Sequence, residues 1–239
     1  MYIKGLNYRY PKSGRDTLKD VSFRLDQNKL NVLIGLNGAG KTTLFDCMTQ
    51  TLSVSHGEVH LPDISETLYL TQNIFYSSEL YGKDMTMFIG RLAELDGFKD
   101  PETYLVGLGT DRERELFLHL WDMKLGKMSV GERKWLFVIL LARIDRKLYI
   151  FDEPTSGVDP SSRKNIMSTL ENIVGGDSTC LISTHQLHDL QHVPSNVIFL
   201  HDGRVLYQGD FQDWLDRFDT NDPDEAFVEM IDSYIPLPQ

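Results

Sequence analysis

Residues 30–44 read "LNVLIGLNGAGKTTL": a mostly apolar strand-like run, a glycine-punctuated loop, and then Lys41-Thr42-Thr43 at the head of the helix-forming "TTLFDCMTQTL". The loop fits GxxxxGK[ST] at Gly35, Gly40, Lys41 and Thr42, with a strand before it and a helix after it, the context that gives the pattern meaning. Glycines at 35, 38 and 40 let the backbone turn tightly so that successive N–H groups face inward, and the following helix adds the positive end of its dipole. The segment Asn37-Gly38-Ala39-Gly40 thereby reads as an anion nest. Lys41 is placed to reach the β and γ phosphates, the Thr42 hydroxyl suits Mg²⁺, and Thr43 supports the phosphate from the same turn. Taken alone, such a loop leaves kinases, GTPases and ATPases open.

A second stretch, "KLYIFDEPTSGVDP" (147–160), narrows the choice. Leu148 to Phe151 has the continuous apolar pattern of a buried parallel strand and ends in two acids, which at the carboxyl end of such a strand face the ligand crevice. Asp152 is placed to hold Mg²⁺ and Glu153 to polarise the water that attacks the γ phosphate. Asp159-Pro160 reads as a helix start, the aspartate capping and the proline in the first turn.

The chain has 239 residues, 41% of them hydrophobic and 25% charged, enough for a packed globular protein. Its longest apolar run, "LFVILLA" from Leu136 to Ala142, is far short of the roughly 20 residues that span a bilayer, and no basic-then-apolar leader opens the sequence. The expectation is therefore a cytoplasmic protein. A formal charge of -11 argues against a broad nucleic-acid footprint, so no nucleic-acid partner is expected. Cys47 and Cys180, without CxxC spacing, read as buried thiols.

The order of motifs resembles the nucleotide-binding subunit of an ATP-binding cassette (ABC) transporter, and the resemblance covers nearly the whole chain. "GLNGAGKT" resembles that family's Walker A, "LYIFDE" its Walker B with the catalytic glutamate, "SGVDP" its D-loop and "LISTH" its switch histidine, His185. "MSVGERKW" (128–135) falls where the family carries its "LSGGQ" signature. The resemblance implies an ATP-binding role for Tyr10, Asn37, Gly38, Ala39, Gly40, Lys41, Thr42, Thr43, Ser129 and Gly131. It implies catalytic roles for Glu153, His185 and Gln72, the last in the Q-loop "LYLTQN", and metal contacts from Thr42, Gln72 and Asp152. It further implies ATP and Mg²⁺ as cofactors, membrane permease subunits as partners, and a homodimer, or a heterodimer with another ABC ATPase. The place implied is the cytoplasmic face of the membrane, and the wording of the motifs resembles the exporter branch. A soluble ABC ATPase driving a cytosolic assembly machine is the alternative.

Two features depart from the common pattern. Val130 stands where a glycine is usual and Glu132 where glutamine is usual, so function is expected to be retained with slower turnover; the bland reading of Ser129 is an ordinary N-cap of "GERKWLFVILLARI". Histidines 185, 188 and 192 invite a metal-site reading, but His185 closes the apolar run "CLIS", and 188 and 192 read as a solvated face. The fold expected is α/β: a P-loop NTPase (RecA-like) core with an antiparallel β subdomain and a helical insert. Residues 1–239 form a single ABC ATPase domain, with 1–75 and 128–218 as the ATP-binding core, 76–127 as the helical subdomain and 219–239 as the tail. Within the tail, Asp219 to Glu225 reads as a solvated link and "IPLPQ" as a free end. Phe75, Tyr76 and Tyr81 are candidates for a groove that receives a permease loop, with packing inside the helical insert as the alternative.

Overall fold

The computed structural model describes residues 1–54, 56–106, 108–174 and 177–234; "IPLPQ" lies outside the described residues. In chain order the elements are β1 (Tyr2–Tyr8), β2 (Leu18–Arg24), β3 (Leu30–Ile34), α1 (Lys41–Met48), β4 (His56–His60), β5 (Thr67–Leu70) and α2 (Gly82–Leu92). There follow α3 (Glu102–Leu105), α4 (Asp111–Trp121), α5 (Val130–Leu141), β6 (Leu148–Phe151) and α6 (Pro160–Ile173). β7 (Thr179–Thr184), β8 (Ser195–His201), β9 (Arg204–Asp210), α7 (Phe211–Arg217) and α8 (Pro223–Tyr234) complete the described chain.

Two compact units are present: residues 1–70, 146–153 and 174–239 form one, and residues 71–145 and 154–173 the other. The first unit holds both sheets. A three-stranded antiparallel sheet runs β2-β1-β4, and a six-stranded sheet runs β5-β6-β7-β3-β8-β9, parallel except for the β8–β9 hairpin. The apolar cluster joining the inner faces includes Leu6, Val21 and Phe23 of the small sheet, Leu44 and Phe45 of α1, and Leu33, Ile150 and Ile198 of the large one. Burying such side chains contributes about 1.5–3 kcal/mol apiece before the entropy of ordering them is subtracted.

Asn31 is the polar exception in β3, fully buried at 0% exposure. Its Oδ1 accepts from the Asp26 N–H and from Asn196 Nδ2, while its own Nδ2 donates to the carbonyls of Asp26, Lys29 and Cys180. A buried amide satisfied this fully ties β3 to the strands on both sides and holds its register, because any slip would orphan several polar groups. The strand that leads into the glycine loop is thus locked at its base.

The second unit is helical. α4 and α5 both begin with a capping box, Thr110 with Glu113 and Ser129 with Glu132, and Tyr104 stacks on Phe117 at 5.6 Å. α6 begins as the sequence reading anticipates, with Asp159 Oδ1 accepting the N–H groups of Ser161 and Ser162. The Asp219–Glu225 segment is a correction: Pro223 occupies the first turn of α8, so the link is shorter than expected and the last helix runs twelve residues. Proline in a first turn loses no hydrogen bond, which makes Thr220-Asn221-Asp222-Pro223 a helix start.

Candidate active site

Gly35 is buried, and a Cβ there would come 2.3 Å from the Leu200 carbonyl oxygen, so only glycine lets the chain leave β3 beside β8. At Gly40 φ is 107°, a left-handed conformation that caps α1 with backbone alone. α1 has no side-chain cap and no acid in its first turn, leaving its leading N–H groups and its positive dipole end for an outside anion. Asn37 and Gly38 are exposed, whereas Ala39 is buried at 5%. Lys41, only 9% exposed, donates from Nζ to the Gly35 carbonyl at 2.7 Å and lies 3.9 Å from Glu153 Oε1.

The two acids after β6 are both 5% exposed. Asp152 Oδ2 accepts from Thr42 Oγ1 at 3.3 Å, and its Oδ1 accepts from Ser183 Oγ at 2.5 Å. The Ser183 hydroxyl in turn accepts the Glu153 N–H at 2.9 Å. Glu153 has φ of 53°, a strained value for a residue with a side chain, and its Oε2 lies 2.8 Å from His185 Nδ1. Strain of this kind persists only where the surroundings over-determine it. Here Lys41, Ser183 and His185 all hold the glutamate. His185 is at the end of β7 with its side chain 58% exposed, one nitrogen on Glu153 and the rest of the ring towards solvent.

Ser183 is the residue that sequence reasoning missed. Its signal was present in "LIST", a hydroxyl inside a fully buried strand ending at the crevice, yet nothing local says that it braces both acids. Burial, with a smaller push from Asp152, raises the carboxyl of Asp46 in α1. A cavity of about 270 Å³ opens beside the loop, lined in part by Leu36, Asn37, His185 and Phe227.

Tyr10 is 40% exposed and its phenol oxygen lies 3.1 Å from Thr43 Oγ1. The three histidines do not gather. Among the described residues the one ligand-bearing group is His188 with Asp222 and Asp224, all exposed, with His188 Nε2 3.3 Å from Asp224 Oδ2 and 3.8 Å from Asp222 Oδ1.

In the second unit Ser129 caps α5: its Oγ accepts the Glu132 N–H at 3.1 Å while Glu132 Oε2 accepts the Ser129 N–H at 2.7 Å. Gly131 packs on the start of α6, where a Cβ would come 3.0 Å from Asp159 Oδ2. Gln72, Phe75, Tyr76, Arg133 and Phe137 line a groove of about 460 Å³ in the same unit. Phe75 is 97% exposed, and the Arg133 guanidinium lies 5.8 Å from the Tyr76 ring centroid. Tyr81 is not among the groove residues; it sits before α2 with the ammonium groups of Lys83 and Lys124 over its ring. Its backbone N–H donates to Asp84 Oδ2 at 2.8 Å at the start of α2.

Residues 18–156 match the family model described as ABC transporter. The chain belongs to the ABC transporter family. It is 23% identical to the phosphonates import ATP-binding protein of Treponema denticola, over 87% of this chain and 88% of that one. It is 25% identical to the ATP-dependent lipid A-core flippase of Pseudoalteromonas atlantica, over 87% of this chain but only 37% of the flippase. Its fold matches the solved structure of an ATP-binding subunit of an ABC transporter with a TM-score of 0.78 at 23% identity, covering 96% of this chain and 98% of that one. The ABC chain is thus an ATP-binding, ATP-hydrolysing transporter subunit. Among its described residues no helix is long and apolar enough to cross a membrane.

Proposed function

We propose that this ABC subunit hydrolyses ATP with Lys41, Thr42, Asp152, Glu153 and His185 and uses the energy to drive export through a separately encoded permease. The observation that carries the reading is the convergence of those five side chains on the glycine loop, in one unit. The loop N–H groups from Asn37 to Gly40, with Lys41 and Thr43, bind the phosphates, and Tyr10 lies under adenine. Thr42 and Asp152 offer hard oxygen donors in contact with each other, a set that fits Mg²⁺. The cation, when bound, neutralises charge on the phosphates.

Glu153 accepts the proton of the attacking water, and His185, bonded to the same carboxylate, keeps it oriented. Ser129 and Gly131 belong to the other unit, and in this reading they complete the nucleotide site of a second cassette in a head-to-tail pair, either a second copy of this chain or another ABC ATPase. In this reading the aromatic groove at Phe75 and Tyr76 receives the permease, and the subunit works on the cytoplasmic face of the membrane. Relatives named for import and for flipping both resemble the chain, so export rests on the wording of its motifs.

The test is purification of the tagged chain from detergent-solubilised membranes, followed by reconstitution with the multi-span protein that accompanies it. ATPase activity raised by that protein, and ATP-driven movement of cargo away from the nucleotide side, are expected. A chain that stays wholly with soluble proteins would overturn the transport reading, and movement towards the nucleotide side would overturn export.

A further inference from the structure

Tyr10 stands just beyond β1 with its ring edge-on to Tyr8, centroids 5.0 Å apart and planes at 90°. Tyr8 is buried at 8% and gives this ring a fixed wall, while Tyr10 itself is 40% exposed. A half-exposed tyrosine free at its tip samples several rotamers, and ordering it on binding costs entropy. Here the tip is not free. The phenol oxygen is 3.1 Å from Thr43 Oγ1, in the first turn of α1, and Thr43 is 7% exposed.

We propose that the Tyr10–Thr43 hydroxyl pair is a positioning device that couples recognition of the nucleobase to binding of the phosphates. The inference rests on the reading of the ligand as ATP with Tyr10 under its base. Each hydroxyl has one proton, and either oxygen can be the donor in the pair. When Tyr10 donates, a Thr43 lone pair is used and the threonine proton is left to point at a phosphate oxygen. When Thr43 donates, it has no proton for an anion. A phosphate in the loop therefore selects the arrangement in which the phenol donates, and that same bond holds the aromatic ring in one orientation as a platform. Coupling of this kind is reciprocal: whatever a bound phosphate adds to the ordering of the ring, a base stacked on the ordered ring returns as affinity for the phosphate.

The experiment is a double-mutant cycle read by calorimetric titration of ADP with magnesium, which binds without turnover. Tyr10→Phe keeps the ring and removes the bond; Thr43→Val keeps the shape and removes the bond from the other side. A net hydrogen bond of ordinary strength predicts that Tyr10→Phe weakens ADP binding by about threefold to tenfold in the otherwise unchanged chain. In the Thr43→Val background the same change should cost less than about twofold, since nothing is left to uncouple. Thr43→Ser restores the hydroxyl and should restore the full effect of Tyr10→Phe. The coupling is refuted if Tyr10→Phe binds ADP as tightly as the unchanged chain, or weakens it by the same factor in both backgrounds. Tyr10→Leu separates this from the platform reading. A leucine variant with unimpaired affinity removes Tyr10 from the base site altogether, whereas loss with leucine but none with phenylalanine leaves the platform standing and removes the coupling alone.

Discussion

Replacing Glu153 with glutamine preserves the shape of the side chain and removes its capacity to take a proton. In the structure Glu153 is 5% exposed, with Oε2 2.8 Å from His185 Nδ1 and Oε1 3.9 Å from Lys41 Nζ. The amide keeps a hydrogen bond to the histidine, and the positive φ of 53° suits either residue equally badly, so the local fold should persist. A general base contributes about 10²–10⁴ in rate, so ATP turnover should fall by that factor, equivalent to about 3–5 kcal/mol of lost transition-state stabilisation. The nucleotide-free protein loses a smaller amount. Opposite charges 3.9 Å apart attract by about 4 kcal/mol at an effective dielectric of 20, most of it offset by the cost of burying them, and Lys41 retains the Gly35 carbonyl. Without nucleotide the variant should therefore lose about 1 kcal/mol of stability, a fall of about 2–4 °C in melting temperature for a chain of this length. With ATP the lysine gains a phosphate partner and the deficit should vanish. The assays are single-turnover phosphate release, melting curves with and without ATP, and size exclusion, where an ATP-bound dimer should accumulate. Turnover within about threefold of the unchanged chain would refute the assignment of Glu153 as base.

Glu132→Gln keeps the capping box on Ser129 but removes a carboxylate from the start of α5, so ATP-driven dimerisation and turnover should rise about twofold to fivefold; an unchanged or lower turnover would show that the acid does not oppose a phosphate there. Tyr76→Ser should abolish permease binding with little change in melting temperature, because Tyr76 lines an open groove; a large fall in melting temperature would return the residue to the core. In a chain lacking Cys47 and Cys180, Asn37→Cys with Val130→Cys should cross-link two copies on oxidation, more with ATP than with ADP. Both positions are exposed, whereas neighbouring Ala39 and Met128 are buried at 5% and 3% and would be poor reporters. A bridge confined to single chains would sink the shared-site arrangement.

The phosphate loop and the acids after β6 were legible because their chemistry is local: strand, glycine turn, lysine and hydroxyl follow one another in ten residues, and Asp152 and Glu153 end a buried apolar run. The Ser129 cap was legible for the same reason, S-x-x-E being a complete signal, and the structure shows that Glu132 makes the cap reciprocal. What escaped is what depends on distant partners. Ser183 braces Asp152 and Glu153 from β7, thirty residues on, and no spacing rule announces a strand hydroxyl that closes on another strand's acids. Asn31 is a polar residue in an apolar run whose partners Asp26, Cys180 and Asn196 come from elsewhere in the chain. The α8 start failed differently: a proline was read as part of a link when it stands in a first turn. The tie between Tyr10 and Thr43, thirty-three residues apart, had no sequence signal at all.

The most direct test of the account is the steady-state release of phosphate from ATP by the purified chain, with and without magnesium, beside Lys41→Ala. The lysine supplies a fixed positive charge at the glycine loop, held by the Gly35 carbonyl and facing Glu153. Magnesium-dependent hydrolysis by the unchanged chain, with release by a folded Lys41→Ala no higher than in buffer, is the result the account predicts. Hydrolysis by Lys41→Ala at the rate of the unchanged chain, with contaminating ATPase excluded, would contradict it.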